Sequence, residues 1–216
     1  MSAPFPRWAN TAVRAALVVG ALALVGGPVA LMAWVRVPNG TGQGEPVAQP
    51  VAFDHRLHAA DFHIDCRYCH AEAERSSTAG LPPTATCVPC HSPIWMNGPL
   101  LAPVRRSLAT GVPIAWNRVH RLPDFVYFDH SVHLAKGVGC ESCHGRVDRM
   151  ARVVQTAPLT MHWCVDCHRD PAPHLRPVSQ VATAGWRPSE PQATLGDSLA
   201  RAYHVRRLTS CTACHR

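Results

Sequence analysis

Large side chains are scarce in this chain of 216 residues: it has 5 Phe, 3 Tyr and 6 Trp, against 20 Pro and 14 Gly. With so few large groups for so many chain breakers, an ordinary hydrophobic core would be thin. The length suits one compact domain or two small halves and excludes a large multidomain enzyme. Lysine is nearly missing, Lys136 being the only one, so the formal charge of +7 is carried by arginine. Unpaired thiols are missing altogether, because all 10 Cys fall into Cys-x-x-Cys pairs. The chain also has 14 His. A small domain with a thin core needs staples, and these residues are the candidates.

The first organised feature is apolar. Ala15 to Val35, AALVVGALALVGGPVALMAWV, is a run of 21 uncharged residues, long enough as a helix to cross a hydrocarbon layer of about 30 Å. Arg7 and Arg14 precede it, and after Arg36 no Lys or Arg occurs until Arg56. The positive-inside bias therefore puts the N-terminus in the cytoplasm and everything after Arg36 on the other side. A cleaved signal peptide is the rival, but the run is too long and lacks a small-x-small site, with Pro28 and Leu31 at the positions that need small residues. Trp34 stands where an interfacial anchor would. The expected organisation is a cytoplasmic N-terminus (1–14), a transmembrane helix (15–35), a flexible tether rich in Gly and Pro (36–50), and an exported domain (51–216). The location expected is the cytoplasmic membrane, single-pass, with the domain on the periplasmic side.

The pairs are Cys66/Cys69, Cys87/Cys90, Cys140/Cys143, Cys164/Cys167 and Cys211/Cys214, and each is followed directly by His: His70, His91, His144, His168 and His215. In c-type attachment two thiols bind the haem vinyl groups and the adjacent imidazole is the proximal iron ligand, so the spacing is a covalent requirement. Zinc fits some of the pattern, since 17 residues separate Cys69 from Cys87 and 20 separate Cys143 from Cys164. That scheme leaves Cys211/Cys214 over and gives no reason for the His. With this His content, five of five by chance is roughly one in a million. Redox or disulfide pairs explain the His no better. The reading is five c-type haems, whose ten propionates turn the formal charge to about −3 and make the Arg excess propionate and interface partners rather than a nucleic-acid patch.

A repeat supplies further ligands. Phe53–His58 reads FDHRLH and Phe128–His133 reads FDHSVH, 75 residues later, and each precedes two Cys-x-x-Cys-His sites. The copies run from about 53 to 91 and from 128 to 168, with a fifth site at 211–215. Two His at i and i+3 share a helical face, too close together to serve one haem, so they suit two neighbouring haems. Four distal ligands follow: His55, His58, His130 and His133. For the fifth, Met161, whose thioether would raise the haem potential, competes with His120 and His162. His63, His174 and His204 are isolated and read as surface or propionate-contacting residues. Met96 and Met150 read as packing. The doublets Arg105/Arg106 and Arg206/Arg207 are either solvated or propionate-bound.

In order as well as number, these motifs resemble the membrane-anchored pentahaem cytochrome c subunit of bacterial alternative complex III. The match runs through the anchor, FDHRLH before CRYCH, CVPCH, LPDFVYFDHSVH with KGVGCESCHG, MHWCVDCHR and RRLTSCTACHR. It covers about Val51 to Arg216, with little signal between His174 and Arg201. Gly is more familiar in the family where His162 stands, which keeps His162 in competition with Met161. The resemblance implies a relay, not a catalyst on its own. Electrons would come from an iron–sulfur subunit fed by polytopic quinol-oxidising membrane subunits, and leave to a monohaem cytochrome c, a soluble carrier or a terminal oxidase. The fold expected is mainly α with extensive coil, a haem-cored, class III cytochrome c-like multihaem domain with one N-terminal transmembrane helix, and no nucleic-acid partner. The rivals are a tetrahaem-type quinol dehydrogenase, weakened by the fifth haem and the distance from Val35 to Cys66, and a multihaem oxyanion reductase, which would need an open iron.

Overall fold

The computed structural model describes residue 6 and residues 8–215. Arg7, one of the two cations before the apolar run, and Arg216, the last residue of the final haem segment, lie outside the described residues. The chain divides into two units, Met1–Gly42 and Gln43–Arg216.

The first unit is dominated by α1 (Ala9–Trp34), 26 residues with no buried side chain. At 1.5 Å per residue it is about 39 Å long, enough to span a bilayer, and by length and composition it serves as either a membrane anchor or a signal sequence. It begins before the apolar run because ANTAVR is itself compatible with helix: charge at Arg14 limits a membrane span, not a helix. Pro28 lies inside the helix, where it removes one donor from the ladder. A short turn, α2 (Pro38–Thr41), follows and is closed by Gly42 at φ 73°.

The second unit is helical and coiled, without strands among the described residues; its β-pairing is confined to isolated bridges, Gln43 with Gln155 and Val138 with Leu175. Its helices are short: α3 (Cys66–Cys69), α4 (Val88–His91), α5 (Ala102–Thr110), α6 (His130–Ala135), α7 (Cys140–His144), α8 (Met161–Arg169) and α9 (Gln192–Ala202). Local signals set their ends. Asp65, Asp129 and Thr160 cap α3, α6 and α8 by accepting from the N–H of Arg67, Val132 and Trp163. Gly111, at φ 71°, ends α5.

Composition alone makes 36–50 a free tether, yet Gln43–Pro50 belongs to the second unit. Gln43 Nε2 donates to the Thr156 carbonyl at 2.6 Å and Gly44 N–H to Gln155 at 2.9 Å. Gln49 and Asn117 exchange two side-chain-to-backbone bonds. Glutamine side chains satisfy backbone groups at a distance in sequence, which no local pattern reveals.

The apolar core is as thin as the composition implies. Ala73, Leu134 and Val181 form its cluster, joined by Ala79 and Cys140. Elsewhere the buried apolar groups are Val51, Val104, Ala157 and Leu175. A polar centre accompanies them. Arg176, 7% exposed, donates to Glu141 at 2.8 Å and to the Thr183 carbonyl at 3.2 Å, and lies over the Trp186 ring. Glu141 also accepts from Gly185 N–H at 2.7 Å. The loop before α7 fits round this arginine: a Cβ at Gly139 would collide with its guanidinium, and Gly137 adopts φ 80° against its carbonyl.

Candidate haem-attachment sites

Each Cys-x-x-Cys-His segment occupies a helical turn. The first, third and fourth lie in α3, α7 and α8; the second passes from the 3₁₀ turn Thr84–Cys87 into α4; the fifth is the 3₁₀ turn Cys211–Ala213. A turn puts the two sulfurs on one face and lets the next imidazole emerge beside them, as attachment of one porphyrin edge requires.

Four of the five following His are fixed through Nδ1. His70 bonds the Gly80 carbonyl at 2.8 Å, His91 that of Ile94 at 3.3 Å and His215 that of Phe125 at 3.1 Å, while His144 Nδ1 meets His120 Nε2 at 3.3 Å. Holding Nδ1 in this way leaves Nε2 available and fixes the ring, the arrangement a metal-ligating His would need.

The two hexapeptides build near-identical local structures. Phe53 stacks on His58 with centroids 4.2 Å apart and meets His55 edge-on at 4.7 Å. Phe128 stacks on His133 at 4.5 Å and meets His130 edge-on at 4.7 Å. His58 Nδ1 contacts the Asp54 carbonyl at 2.8 Å, and His133 Nδ1 the Asp129 carbonyl at 2.7 Å. Both Asp carboxylates cap the turn: Asp54 accepts from Arg56 and Leu57 N–H, and Asp129 from Val132 N–H. The motif FDHxxH is thus a self-contained device in which Phe packs, Asp caps and two imidazoles project. The first copy forms a π-helical turn (Arg56–Asp61), where the second forms α6.

These imidazoles face the attachment-site imidazoles at one recurring spacing. Ring centroids are 6.2 Å apart for His58 and His91, 6.3 Å for His130 and His144, and 6.1 Å for His133 and His168. Two imidazoles bound trans to one metal at roughly 2 Å each hold their centroids about 6 Å apart. His55 Nδ1 is buried with no hydrogen-bond partner. Among the described residues no three His, Cys, Asp or Glu converge as a cage for a metal ion, and the paired imidazoles fit the two faces of a haem iron.

Burial favours the neutral form, the one that ligates a metal, at His55, His120, His133 and His144. Desolvation, with smaller contributions from His70 and His58, lowers His55 to about 4. His144 falls to about 3 through desolvation, helped by His120, His130 and His70. Burial also lowers His133 and His120. Cys143 is pushed up to about 12 by desolvation and then by Cys167 and Cys164, while a hydrogen bond with Cys140 brings Cys66 down to about 7.

The other candidates are placed as follows. Met161, 73% exposed, begins α8. His162 Nε2 sits 3.1 Å from Asp166 on the surface, and His120 is engaged with His144. His63, His174 and His204 are exposed. Met96 and Met150 are half-buried. Arg105 donates to the Met96 and Gly98 carbonyls, while Arg106, Arg206 and Arg207 are exposed. Sequence reasoning overlooked Arg176 and Glu141, whose pairing spans a separation of 35 residues. It also overlooked the Ser77 carbonyl, which meets His130 Nδ1 at 2.9 Å. Only the Glu inside CESCH hinted at the first, and nothing local hinted at the second.

Helical turns carrying paired thiols, imidazoles facing one another across a metal's width and a core thin in apolar groups are what a multihaem cytochrome c needs. Residues 126–216 match the family of cytochrome c7 and related cytochrome c. The chain is also similar to the menaquinone reductase, multiheme cytochrome c subunit, of Nitratidesulfovibrio vulgaris (strain Hildenborough). The two are 37% identical over 97 residues, 44% of this chain and 45% of the relative. The match thus spans somewhat under half of the relative's length.

Proposed function

We propose that the chain is the membrane-anchored electron-transfer subunit of a quinone-linked respiratory complex of the alternative complex III type, carrying five c-type haems on the periplasmic side. The observation that carries the reading is the pairing of imidazoles at 6.1–6.3 Å in both repeats. Cys66 and Cys69, Cys87 and Cys90, Cys140 and Cys143, Cys164 and Cys167, and Cys211 and Cys214 would hold the haems covalently. The second His of each hexapeptide serves the second site of its repeat, His58 opposite His91 and His133 opposite His168. The first His serves the first site, His55 opposite His70 and His130 opposite His144. His120 and His162 are already engaged, which leaves Met161 for the fifth site opposite His215.

When bound, the haems supply one-electron chemistry. The chain's own residues supply neutral imidazoles, fix their rings through Nδ1 and exclude water around His55, His133 and His144. The iron–sulfur subunit, polytopic quinol-oxidising subunits and a monohaem cytochrome c or terminal oxidase are the partners in this reading. It is supported by the order of motifs from FDHRLH to CTACHR and by α1, which would anchor the domain at the membrane. A second reading, favoured by the name of the relative, sends electrons the opposite way, towards menaquinone. The test is extraction of the tagged full chain from its native membranes in mild detergent, with identification of co-purifying chains. An iron–sulfur subunit with polytopic subunits is expected. Recovery alone, with haems that quinol reduces directly, would overturn the reading.

A further inference from the structure

We infer that the five attachment sites stand in the spatial row second, first, third, fourth, fifth, so that the electron path does not follow the sequence and its two ends are the CVPCH and CTACH segments. The inference rests on the haem reading above but not on the identity of the partner complex.

The join between the repeats comes first. The backbone contacts across it are reciprocal: Arg56 N–H, in the first hexapeptide, bonds the Met150 carbonyl just after the third site, and His130 N–H, in the second, bonds the Ser77 carbonyl just after the first site. Each hexapeptide is therefore seated on the other repeat's leading site, which brings those two sites face to face. Their cysteines agree. Cys66 Sγ and Cys140 N–H lean on consecutive carbonyls of one segment, those of Ala182 and Val181. The first and third sites are thus the central pair.

Each repeat then extends outward. His55 and His58 occupy adjoining positions under one Phe53 ring, as His130 and His133 do under Phe128. The second site accordingly lies beyond the first, with His91 facing His58 at 6.2 Å between ring centroids. The fourth lies beyond the third, with His168 facing His133 at 6.1 Å as His144 faces His130 at 6.3 Å. The fifth joins this latter end. His215 Nδ1 bonds the Phe125 carbonyl and Tyr127 N–H bonds the Cys214 carbonyl, just before the second hexapeptide. Exposure follows the same order: the two exposed cysteines are Cys90 and Cys211, one at each end of the row.

An electron passing along this row makes and breaks no bond: the ferrous site it leaves becomes ferric and the ferric site it reaches becomes ferrous. Partners that deliver and remove electrons therefore dock near His91 and near His215, and the CRYCH and CESCH sites serve only as interior steps.

Electron cryomicroscopy of the detergent-extracted full chain with its haems tests this through iron positions. The iron held by Cys66/Cys69 is expected to have two near neighbours, those held by Cys87/Cys90 and Cys140/Cys143, while the Cys87/Cys90 iron has one. Adjacent second and third irons, the order of the sequence, would overturn the inference; the polypeptides present in the same particles test the partner complex separately. A kinetic readout complements it. Removing the end site with C87A/C90A leaves an unbroken row, so flash reduction should still re-equilibrate in one fast phase. Removing an interior site with C66A/C69A should split that phase in two. If the end-site variant splits it and the interior one does not, the order is wrong.

Discussion

The two repeats carry the same hexapeptide but orient its first imidazole differently. In the second copy His130 Nδ1 is held by the Ser77 carbonyl, which the first copy lends. In the first copy His55 Nδ1 is buried without a partner, in a turn that opens to a π-helix. The second His of each copy, by contrast, is bonded to its own Asp carbonyl in both. Local sequence therefore fixes the second imidazole in both copies, while the first is held by a tertiary contact only in the second copy. A further asymmetry lies inside the leading motifs: CESCH contributes Glu141 to a buried pair with Arg176, whereas the corresponding residue of CRYCH, Arg67, pairs with Asp65 and Glu74 at the surface.

The comparison is sharpened most by removing the imidazoles that the copies hold alike. His58→Ala and His133→Ala should each convert one low-spin iron to high-spin without loss of covalent haem, as read by EPR and by the mass of the intact chain. A different number of affected irons in the two variants would break the equivalence. Next in size, Arg176→Met should destabilise the domain by about 1–3 kcal/mol, because Glu141 loses its nearest charged partner and keeps only the Gly185 N–H and a longer contact with Arg146. Arg67→Met should cost about 1 kcal/mol or less. Denaturant unfolding followed by haem absorbance measures both, and equal losses would contradict the distinction between the pairs.

Acid probes the unpartnered His55. Its folded value of about 4 lies below the ordinary 6.5, so its contribution to stability is complete above pH 6.5 and is lost as pH falls towards 4. Low-spin absorbance should therefore persist through pH 6 and fail only nearer 4; loss already at 6.5 would show that burial does not protect the ligand. Smaller still, Asp54→Ala and Asp129→Ala should each lower the melting temperature by removing a cap. The smallest effect expected is from Phe53→Leu and Phe128→Leu, about 0.5–1.5 kcal/mol each for the lost ring pairs. Both pairs are measured by thermal unfolding, and a clear difference within either pair would mean that the copies pack differently.

What the sequence made legible follows from these contrasts. The mainly helical class with coil, the long apolar helix and the thin core all follow from short-range patterns: apolar runs, Pro and Gly density and Cys-x-x-Cys-His spacing. The hexapeptide was readable as one turn presenting two His, because their i and i+3 spacing acts locally. The remainder depends on distant segments. Ala9 begins α1 because nothing between it and Arg14 opposes helix, although a membrane criterion starts later. Gln43 docks on Thr156, Arg176 finds Glu141 and His120 finds His144 only once the chain is folded. The order of sites likewise depends on Arg56 meeting Met150 and His130 meeting Ser77, contacts that leave no periodicity behind.

The central claim is that each repeat holds two irons between paired imidazoles, with Met161 completing the fifth site. The most direct test is low-temperature EPR of the intact full-length chain extracted from its native membranes, with haem content counted on the same sample. The account predicts five covalent haems, every iron low-spin, four with bis-imidazole signatures and one with a thioether ligand. Two or more high-spin irons in that preparation would contradict it.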